Sequence, residues 1–277
     1  DTDAHPSTFD RIVAVDSDVD ELFSYGGVTP DNVTGLVHGA MFTRGGDGLK
    51  NTAIFIGGSN VAAGEALLEK VQSLFFGPVR VSILIDSNGS NTTAAAAVLA
   101  AGKHVDLSNT TALLLGGTGP VGQRAAQILT SLGATVRIGT RSAAKAEATC
   151  EAVRSKVEGA NIWPCETGTV DGLAAAADSV EVIIATGAAG IQLLSAEQRS
   201  RIGSLKVAID LNAVPPVGIE GVEVFDKAVE QDGVFCYGAI GVGGTKMKIH
   251  KAAVKKLFTA NDLLLDTAAV FEIGQNQ

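Results

Sequence analysis

Short apolar runs alternate with amphipathic segments along the N-terminal part of the chain. Ala53–Ile56 and residues 79–85 are apolar runs of the length of β-strands. The first is followed by a glycine-rich turn and by apolar residues at helical spacing (67–75), and the second by a polar loop and an alanine-rich segment that Gly102 ends. Strands that alternate with helices in this way predict parallel βαβ units.

The same pattern repeats from residue 110 onward. The polar segment 102–109 separates the two series and is the predicted domain boundary, while the segment from Thr245 onward predicts two helices that return to the first domain. The predicted fold class is therefore α/β with two domains. In the second series, strands are predicted at 111–115, 134–138, 161–165, 180–185 and 205–211, and helices at 121–132, 143–157, 170–177 and 196–201.

The first strand of the second series ends in GGTGPVG (116–122), which contains the pattern G-x-G-x-x-G between a strand and a helix. The first glycine of the pattern would permit the tight turn, the second would leave room for a pyrophosphate, and the third would let helix and strand pack closely. Free N–H groups at the helix start would face the anion, and the proline gives up one that the helix does not use. This predicts a Rossmann-type doubly wound parallel sheet, with an ordinary glycine-rich turn as the alternative. The expected cofactor contacts are Gly117, Thr118, Gly119, Pro120, Val121 and Gly122.

The end of the next strand predicts which nicotinamide cofactor binds. NAD-specific folds place Asp or Glu there to bind the ribose 2′-hydroxyl, whereas this sequence has Thr140 and Arg141. A guanidinium pairs with a 2′-phosphate that a carboxylate would repel. With Ser142 and Lys145 close by in the sequence, NADP is the favoured cofactor and NAD a weaker one. The alternative is that Arg141 is a solvated surface charge.

Three further loops follow predicted strands, at the carboxyl ends where ligands bind in open α/β sheets. In the loop 86–93, Asp86 is either a helix-capping residue or a carboxylate placed for chemistry. The loops 186–190 and 210–216 provide further expected cofactor contacts, which are Thr186, Gly187, Ala188 and Asn212.

A fourth loop, predicted at 238–245, precedes a lysine-rich helix that Thr245 could cap. Lysines in a first helical turn oppose the helix dipole, and a bound anion would resolve that conflict. Lys246 is therefore a further expected cofactor contact, with lysines that simply reach into solvent as the alternative.

Composition excludes several classes of function. Hydrophobic residues make up 46% of the 277 residues, which excludes wholesale disorder, and the formal net charge of −9 disfavours nucleic acid and anionic membranes as partners. The three cysteines and four histidines show neither a disulfide framework nor metal-ligand spacing, so we expect a reducing cytoplasm and no metal site. No signal peptide and no apolar run of the ~18 residues of a membrane span are recognisable. The absence of a Ser-His-Asp, Cys-His or paired-carboxylate arrangement disfavours hydrolysis but is compatible with hydride transfer.

Six strings of the sequence resemble one enzyme family. They are DSNGSNTTA (86–94), GGTGPVG (116–122), NAVPP (212–216), GAIGVGGTKMKIH (238–250), YGGVTPDNV (25–33) and FFGPVRVS (75–82). Together they resemble the NAD(P)-dependent methylene-tetrahydromethanopterin dehydrogenases of one-carbon-metabolising bacteria. The resemblance runs over nearly the whole chain, and DSNGSNTT is its specific part.

The resemblance implies a fold, an assembly and a reaction. It implies an N-terminal α/β domain, a Rossmann domain, an active-site cleft between them, and a homo-oligomer that is a trimer or a hexamer. The implied reaction transfers a hydride from methylene-tetrahydromethanopterin to NADP in one-carbon (formaldehyde) metabolism. On this basis we expect a pterin-binding domain at 1–105, completed by helices at 258–277, and an NADP-binding domain at 106–257.

Loop positions and the resembling strings supply the expected chemistry and substrate contacts. We assign Asp86 from its loop position as the carboxylate near the developing positive charge, with Asn88 and Asn91 orienting polar groups of the ligands. The expected catalytic residues are Asp86, Asn88 and Lys248, and the expected substrate contacts are Thr29, Asp31, Asn32 and Asn91.

Two other functions stay open at this stage. A methylene-tetrahydrofolate dehydrogenase would perform the same chemistry on a different carbon carrier. An NADP-sensing regulatory protein would have the Rossmann fold without turnover, but it would not need the asparagine-rich loop that follows Ile85.

Overall fold

Parallel strands build both structural units of the protein. The computed structural model describes every residue from Asp1 to Gln277. Unit 1 consists of Asp1–Thr92 and Lys246–Gln277, and unit 2 consists of Thr93–Thr245. The predicted boundaries at 105/106 and 257/258 differ from these. Both crossings lie inside helices, where no change of composition marks them.

Unit 1 contains a three-stranded parallel sheet in the order β1-β2-β10. The C-terminal segment supplies the edge strand β10 and the last helix. Its strands are β1 (Ala53–Ile56), β2 (Ser82–Ile85) and β10 (Leu264–Leu265). Its helices are α1 (Thr8–Val15), α2 (Thr34–Phe42), α3 (Val61–Ser73) and α10 (Thr267–Gln275), while α4 (Ser90–Ala101) and α9 (Ala239–Lys256) run from one unit into the other.

Unit 2 contains a seven-stranded sheet in the order β5-β4-β3-β6-β7-β9-β8, in which only β8 runs antiparallel. Its strands are β3 (Thr111–Leu115), β4 (Thr135–Thr140), β5 (Ile162–Glu166), β6 (Val182–Ala185), β7 (Val207–Asp210), β8 (Lys227–Gln231) and β9 (Val234–Tyr237). Its helices are α5 (Pro120–Ser131), α6 (Ala143–Arg154), α7 (Val170–Ala176) and α8 (Ala196–Ser200). The strand order reverses between β3 and β6, which is the switch point where doubly wound sheets bind ligands. The predicted α/β, doubly wound fold is confirmed.

Two predicted loops are helical in the structure. The segment 238–245 is not a loop, because α9 begins at Ala239 and Thr245 lies inside it. Gly241 allows close packing at the start of this helix, since a Cβ there would collide with the backbone carbonyl of Asp226. Likewise, α4 begins at Ser90, so half of the predicted loop 86–93 is helix. None of the helices combines the length and the apolar character needed to span a membrane.

Candidate functional site

The glycine-rich turn after β3 is shaped by backbone contacts within unit 2. The positive φ of the turn, 66°, falls on Gly116 and not on Gly117, so the tight-turn role predicted for Gly117 belongs to its neighbour. Gly117 is required for another reason, because a Cβ there would lie 2.8 Å from the carbonyl oxygen of Leu114. A Cβ on Gly122 would lie 2.5 Å from the carbonyl oxygen of Gly117, so the third glycine lets α5 pack against the turn.

Gly119 faces open space at the start of α5. It is the N-cap residue with extended backbone angles, and a Cβ there would meet only the carbonyl oxygen of Thr186, at 3.9 Å. Pro120 occupies the first helical turn, and the N–H groups of that turn have no partner within the helix. An open concave turn with free donors fits the pyrophosphate of a dinucleotide.

The loop after β6 lies beside this turn. The backbone N–H of Thr186 donates to the carbonyl oxygen of Leu115 over 2.8 Å, and Gly187 packs so closely on Gly116 that a Cβ on Gly116 would lie 2.5 Å from the Gly187 Cα. Ala188 follows and is exposed. The structure thus brings the two predicted cofactor loops together at the switch point.

The residues after β4 form the predicted ribose end of the cofactor site. Ser142 caps α6, with its Oγ accepting from the backbone N–H of Lys145. Arg141 is exposed, and its stem packs beside Gly168. No carboxylate stands at the end of β4 itself, but the exposed Glu166 on β5 is the register partner of Thr140. The sequence alone does not place Glu166 beside Thr140, because strand pairing is not visible in it.

Asn212 holds its own loop in place. Its Nδ2 donates to the carbonyl oxygen of Pro216 over 3.0 Å, and its Oδ1 accepts from the N–H of Val214 over 2.9 Å. The buried Asp210 beside it accepts from the N–H groups of Asn212 and Ile219. The cofactor contact predicted for Asn212 stays a prediction, and it would have to be made beside these internal bonds.

In unit 1, Asp86 follows β2 and is almost fully buried. Its Oδ1 accepts from the backbone N–H groups of Asn91 (2.8 Å) and Thr92 (3.2 Å), and its Oδ2 accepts from the Thr92 hydroxyl over 2.6 Å. Asp86 therefore holds the first turn of α4, which is the capping role that the sequence analysis weighed against a chemical one.

The two asparagines of this loop differ in their surroundings. Asn88 is exposed, has a left-handed backbone with φ of 56°, and donates its N–H to the carbonyl oxygen of Gly58. Asn91 is buried; its Nδ2 donates to Ile85 and its Oδ1 accepts from the Thr267 hydroxyl. The roles predicted for both stay predictions, and only Asn88 presents its side chain to solvent.

The predicted substrate residues Thr29, Asp31 and Asn32 lie on an exposed turn before α2. Asn32 organises the turn, since its Oδ1 accepts from the N–H of Thr29 and its Nδ2 donates to the carbonyl oxygen of Gly27. The structure thus keeps these three residues together, and no contact in it tests their role.

Helix α9 places Lys246 and Lys248, the two lysines predicted to act in the site, on different faces. The Nζ of Lys246 lies 5.1 Å from the ring centroid of Phe9, whereas Lys248, two positions later, is exposed. Residues two apart on a helix point to different faces, while residues four apart share one. The residue that shares the face of Lys246 is His250, which the sequence analysis set aside for want of ligand spacing.

Asp10, Asp86, Lys246 and His250 interact electrostatically, and we call them the charged cluster. Burial raises the pKa of the Asp10 carboxyl; the Asp86 charge adds to this rise, and Lys246 opposes it. Burial also lowers the pKa of His250, so its neutral form is favoured at neutral pH. With His250 neutral the cluster carries one more negative than positive charge, which favours a cationic ligand. No group of three or more His, Cys, Asp or Glu residues is arranged to hold a metal ion.

Comparison with known proteins gives these sites a context. A family model described as "Methylene-tetrahydromethanopterin dehydrogenase, N-terminal" matches residues 8–88. The chain is 41% identical over 279 residues to "Bifunctional protein MdtA" of Methylorubrum extorquens, covering 99% of this chain and 96% of that protein. It is 31% identical over 287 residues to the "NAD(P)-dependent methylenetetrahydromethanopterin dehydrogenase" of the same organism, covering 98% and 94%.

Solved structures are less similar. A transhydrogenase from Sinorhizobium meliloti is 20% identical, with a TM-score of 0.47, and the match covers 66% of this chain and 53% of that one. The chain therefore spans about half the length of that transhydrogenase. Because two relatives exceed 30% identity over almost their whole length, the chain belongs to the methylene-tetrahydromethanopterin dehydrogenase family.

Proposed function

We propose that the protein is an oxidoreductase that transfers a hydride from methylene-tetrahydromethanopterin to NADP. The products are methenyl-tetrahydromethanopterin and NADPH, in one-carbon (formaldehyde) metabolism. The observation that carries the proposal is the open glycine turn at the switch point of unit 2, in a chain that belongs to this family. When bound, the nicotinamide supplies the carbon, C4, that accepts the hydride.

Unit 2 provides the groups for the dinucleotide. The first turn of α5 offers backbone N–H donors to the pyrophosphate, and Gly119 leaves room for the phosphate oxygens. Thr186 and Gly187 border the same turn. These contacts bind and orient the cofactor without moving a proton.

Unit 1 provides the groups for the pterin. The methylene carbon lies between two nitrogens and becomes a cation when the hydride leaves, so no general base is required. The protein has to hold the reactant and favour positive charge on it. The charged cluster suits this task, with the Asp10 and Asp86 carboxylates facing the developing charge and Lys246 donating to a polar acceptor on the pterin. Asn88 and the exposed turn with Thr29, Asp31 and Asn32 are the proposed further contacts.

NADP is proposed over NAD because of the residues that follow β4. The exposed guanidinium of Arg141 and the hydroxyls of Thr140 and Ser142 suit a 2′-phosphate, and Lys145 adds a second positive charge. The exposed carboxylate of Glu166 lies on the neighbouring strand and would weaken this preference if it faced the phosphate. A Glu166→Gln variant therefore belongs in the cofactor assay beside the unmodified protein.

A spectrophotometric assay tests the proposal. The purified protein is supplied with methylene-tetrahydromethanopterin and with NADP or NAD, and reduced nicotinamide is followed at its absorption maximum. Pterin-dependent reduction of NADP, with lower efficiency for NAD, is the expected result. No turnover with any carrier, together with tight NADP binding, would instead support a regulatory protein.

Methylene-tetrahydrofolate is the second candidate substrate. The observation that favours testing it is the 41% identity to a protein whose name calls it bifunctional. The same assay with the folate substrate measures the ratio of kcat/KM for the two carriers. We expect the higher value for the methanopterin substrate.

The assembly and the location are proposals of the same kind. We expect a cytoplasmic homo-oligomer, a trimer or a hexamer. Size-exclusion chromatography with light scattering measures the assembly mass against the 28.2 kDa of one chain. A monomer at micromolar concentration would contradict this expectation.

A further inference from the structure

His250 has an unusual environment for a polar side chain. It is 1% exposed, and its Nδ1 is buried without a hydrogen-bond partner. Buried polar atoms in proteins are nearly always hydrogen-bonded, so an exception calls for an explanation. A histidine with a purely structural role would use its ring nitrogens in hydrogen bonds between segments, and Nδ1 of His250 makes no such bond.

The ring of His250 instead packs against aromatic side chains. It stacks on Phe55 of β1, with ring centroids 5.7 Å apart, and lies 6.3 Å from the ring of Phe9 on α1. Lys246, one helical turn earlier on the same face of α9, places its Nζ 5.1 Å from that same Phe9 ring. Phe9 therefore contacts both the imidazole and the ammonium.

The charged groups around His250 come from three elements. Lys246 lies on α9, Asp86 follows β2, and Asp10 follows Phe9 on α1, while β1 contributes only the apolar Phe55. Burial and the Lys246 charge lower the pKa of His250, and the Asp86 charge opposes them. A protonated His250 would put a second positive charge one helical turn from Lys246, on the same apolar wall.

We propose that His250 is a positioning residue which, as an uncharged imidazole, keeps the Lys246 ammonium against Phe9 and beside Asp10. The catalytic consequence of this inference rests on the proposed function. Protonation of His250 repels Lys246 from this place and removes the excess negative charge of the cluster. Both effects weaken the binding of pterin and of its cationic product. They leave the glycine-rich turn after β3 (116–122), which we call the dinucleotide turn, unchanged.

Proton NMR on the ligand-free, full-length protein tests the electrostatic part. The Cε1–H signal of His250 is assigned by its loss in His250→Phe. His250 should titrate below the ordinary range of a histidine side chain, because burial lowers its pKa. In Lys246→Met the midpoint of His250 should rise by about half a pH unit or more, because a neighbouring positive charge has been removed. An unmoved midpoint in Lys246→Met would overturn the proposal.

Kinetics over pH 5–8.5 test the positioning part. Below the midpoint of His250, kcat/KM for the pterin should fall about tenfold per pH unit, as for one essential deprotonated group. His250→Phe keeps a neutral aromatic ring in place, so its kcat/KM for the pterin should lose this fall with pH, whatever its value at pH 8. The Kd for NADP should be the same in both proteins at every pH. A preserved acid fall in His250→Phe would overturn the proposal.

His104 of unit 2 offers a matched control. Its ring also stacks on a phenylalanine, Phe235, at 4.0 Å, and burial also lowers its pKa. In His104→Phe, kcat/KM for the pterin should fall at low pH as it does in the unmodified protein. If the unmodified protein turns over no pterin, the proposed function fails. The NMR titration then decides the coupling of His250 to Lys246 by itself.

Discussion

Side chains added at two glycines of the dinucleotide turn separate cofactor binding from folding. At Gly119, the N-cap of α5, φ is −76° and ψ is 171°, which any residue adopts, and a Cβ meets nothing closer than 3.9 Å. Gly119→Ala should therefore change the free energy of unfolding by less than about 1 kcal/mol. Gly119→Val should fold as well, but its methyl groups fill the space of the phosphate oxygens. We expect its Kd for NADP to rise at least tenfold, or about 1.4 kcal/mol.

Gly122 is the matched control, because its role is packing. A Cβ there would lie 2.5 to 2.7 Å from three backbone atoms of Gly117. Overpacking of this kind costs about 1–3 kcal/mol, so Gly122→Ala should lower the free energy of unfolding by that amount. We therefore expect the larger effect of Gly119→Val to be on the Kd for NADP, and the larger effect of Gly122→Ala to be on the free energy of unfolding.

Two measurements on each variant check this expectation. Urea denaturation gives the free energy of unfolding, and isothermal titration calorimetry gives the Kd for NADP at a temperature where the variants are folded. A folded Gly119→Val protein with unchanged NADP affinity would refute the assignment of this turn to the cofactor. A Gly122→Ala protein as stable as the unmodified one would refute the packing argument.

Three other substitutions and one labelling experiment test separate parts of the molecule. Arg141→Ala should raise KM for NADP about 10- to 150-fold, from the ~1.5–3 kcal/mol of a charge-assisted contact, and leave KM for NAD nearly unchanged; equal use of both nicotinamides by the unmodified enzyme would contradict the NADP preference. Asp86→Asn should lower kcat about 100-fold at unchanged Kd for NADP. The control is Thr92→Val, which removes one hydrogen bond to the same carboxylate and should mainly lower stability. Full turnover of Asp86→Asn would contradict the catalytic role and leave Asp86 only its capping role. Burial raises the pKa of Cys150 to about 11, so iodoacetamide at pH 8 should not modify it in the native protein but should in urea, as peptide mass spectrometry can show.

Local sequence patterns predicted the elements that are fixed by local chemistry. The strands β1 (Ala53–Ile56) and β3 (Thr111–Leu115) have their predicted bounds, because each is an apolar run that ends at glycine. The helix α4 ends at Ala101, before Gly102, as predicted. The structure of the glycine-rich turn after β3 was predictable for the same reason, since its glycines, its strand and its helix are consecutive in the sequence.

Elements that depend on distant contacts were missed. The helix α1 is eight residues long, and of its apolar residues Val13 and Ala14 are buried whereas Phe9, Ile12 and Val15 are about half exposed or more. Its polar and apolar residues lie on opposite sides, so the periodicity of the sequence could have identified it. The hairpin of β8 and β9 was also missed, although Asp232-Gly233 between two short strands is a turn signal that could have identified it. The charged cluster joins residues from three places in the chain, which are α1, the loop after β2 and α9. Only the spacing of Lys246 and His250 was visible in advance.

Whether the lysines of residues 246–251 oppose the helix dipole depends on where the helix begins, and not on how many lysines it contains. As the first turn of a helix, residues 246–251 would need an anion to offset the helix dipole. The helix actually begins at Ala239, and three of its five lysines meet partners along α1 and the turn that follows it.

These partners follow one another in the same order on both segments. Lys246 lies over Phe9, Lys251 pairs with Asp16 over 2.8 Å, and Lys255 pairs with Asp18 over 2.7 Å. Each exposed ion pair contributes little stability, because water screens the two charges. Together, however, they fix how α9 lies along α1. That alignment directs Lys246 and His250 toward Phe9 and leaves Lys248 in solvent, so the position of the charged cluster follows from the docking of these two segments.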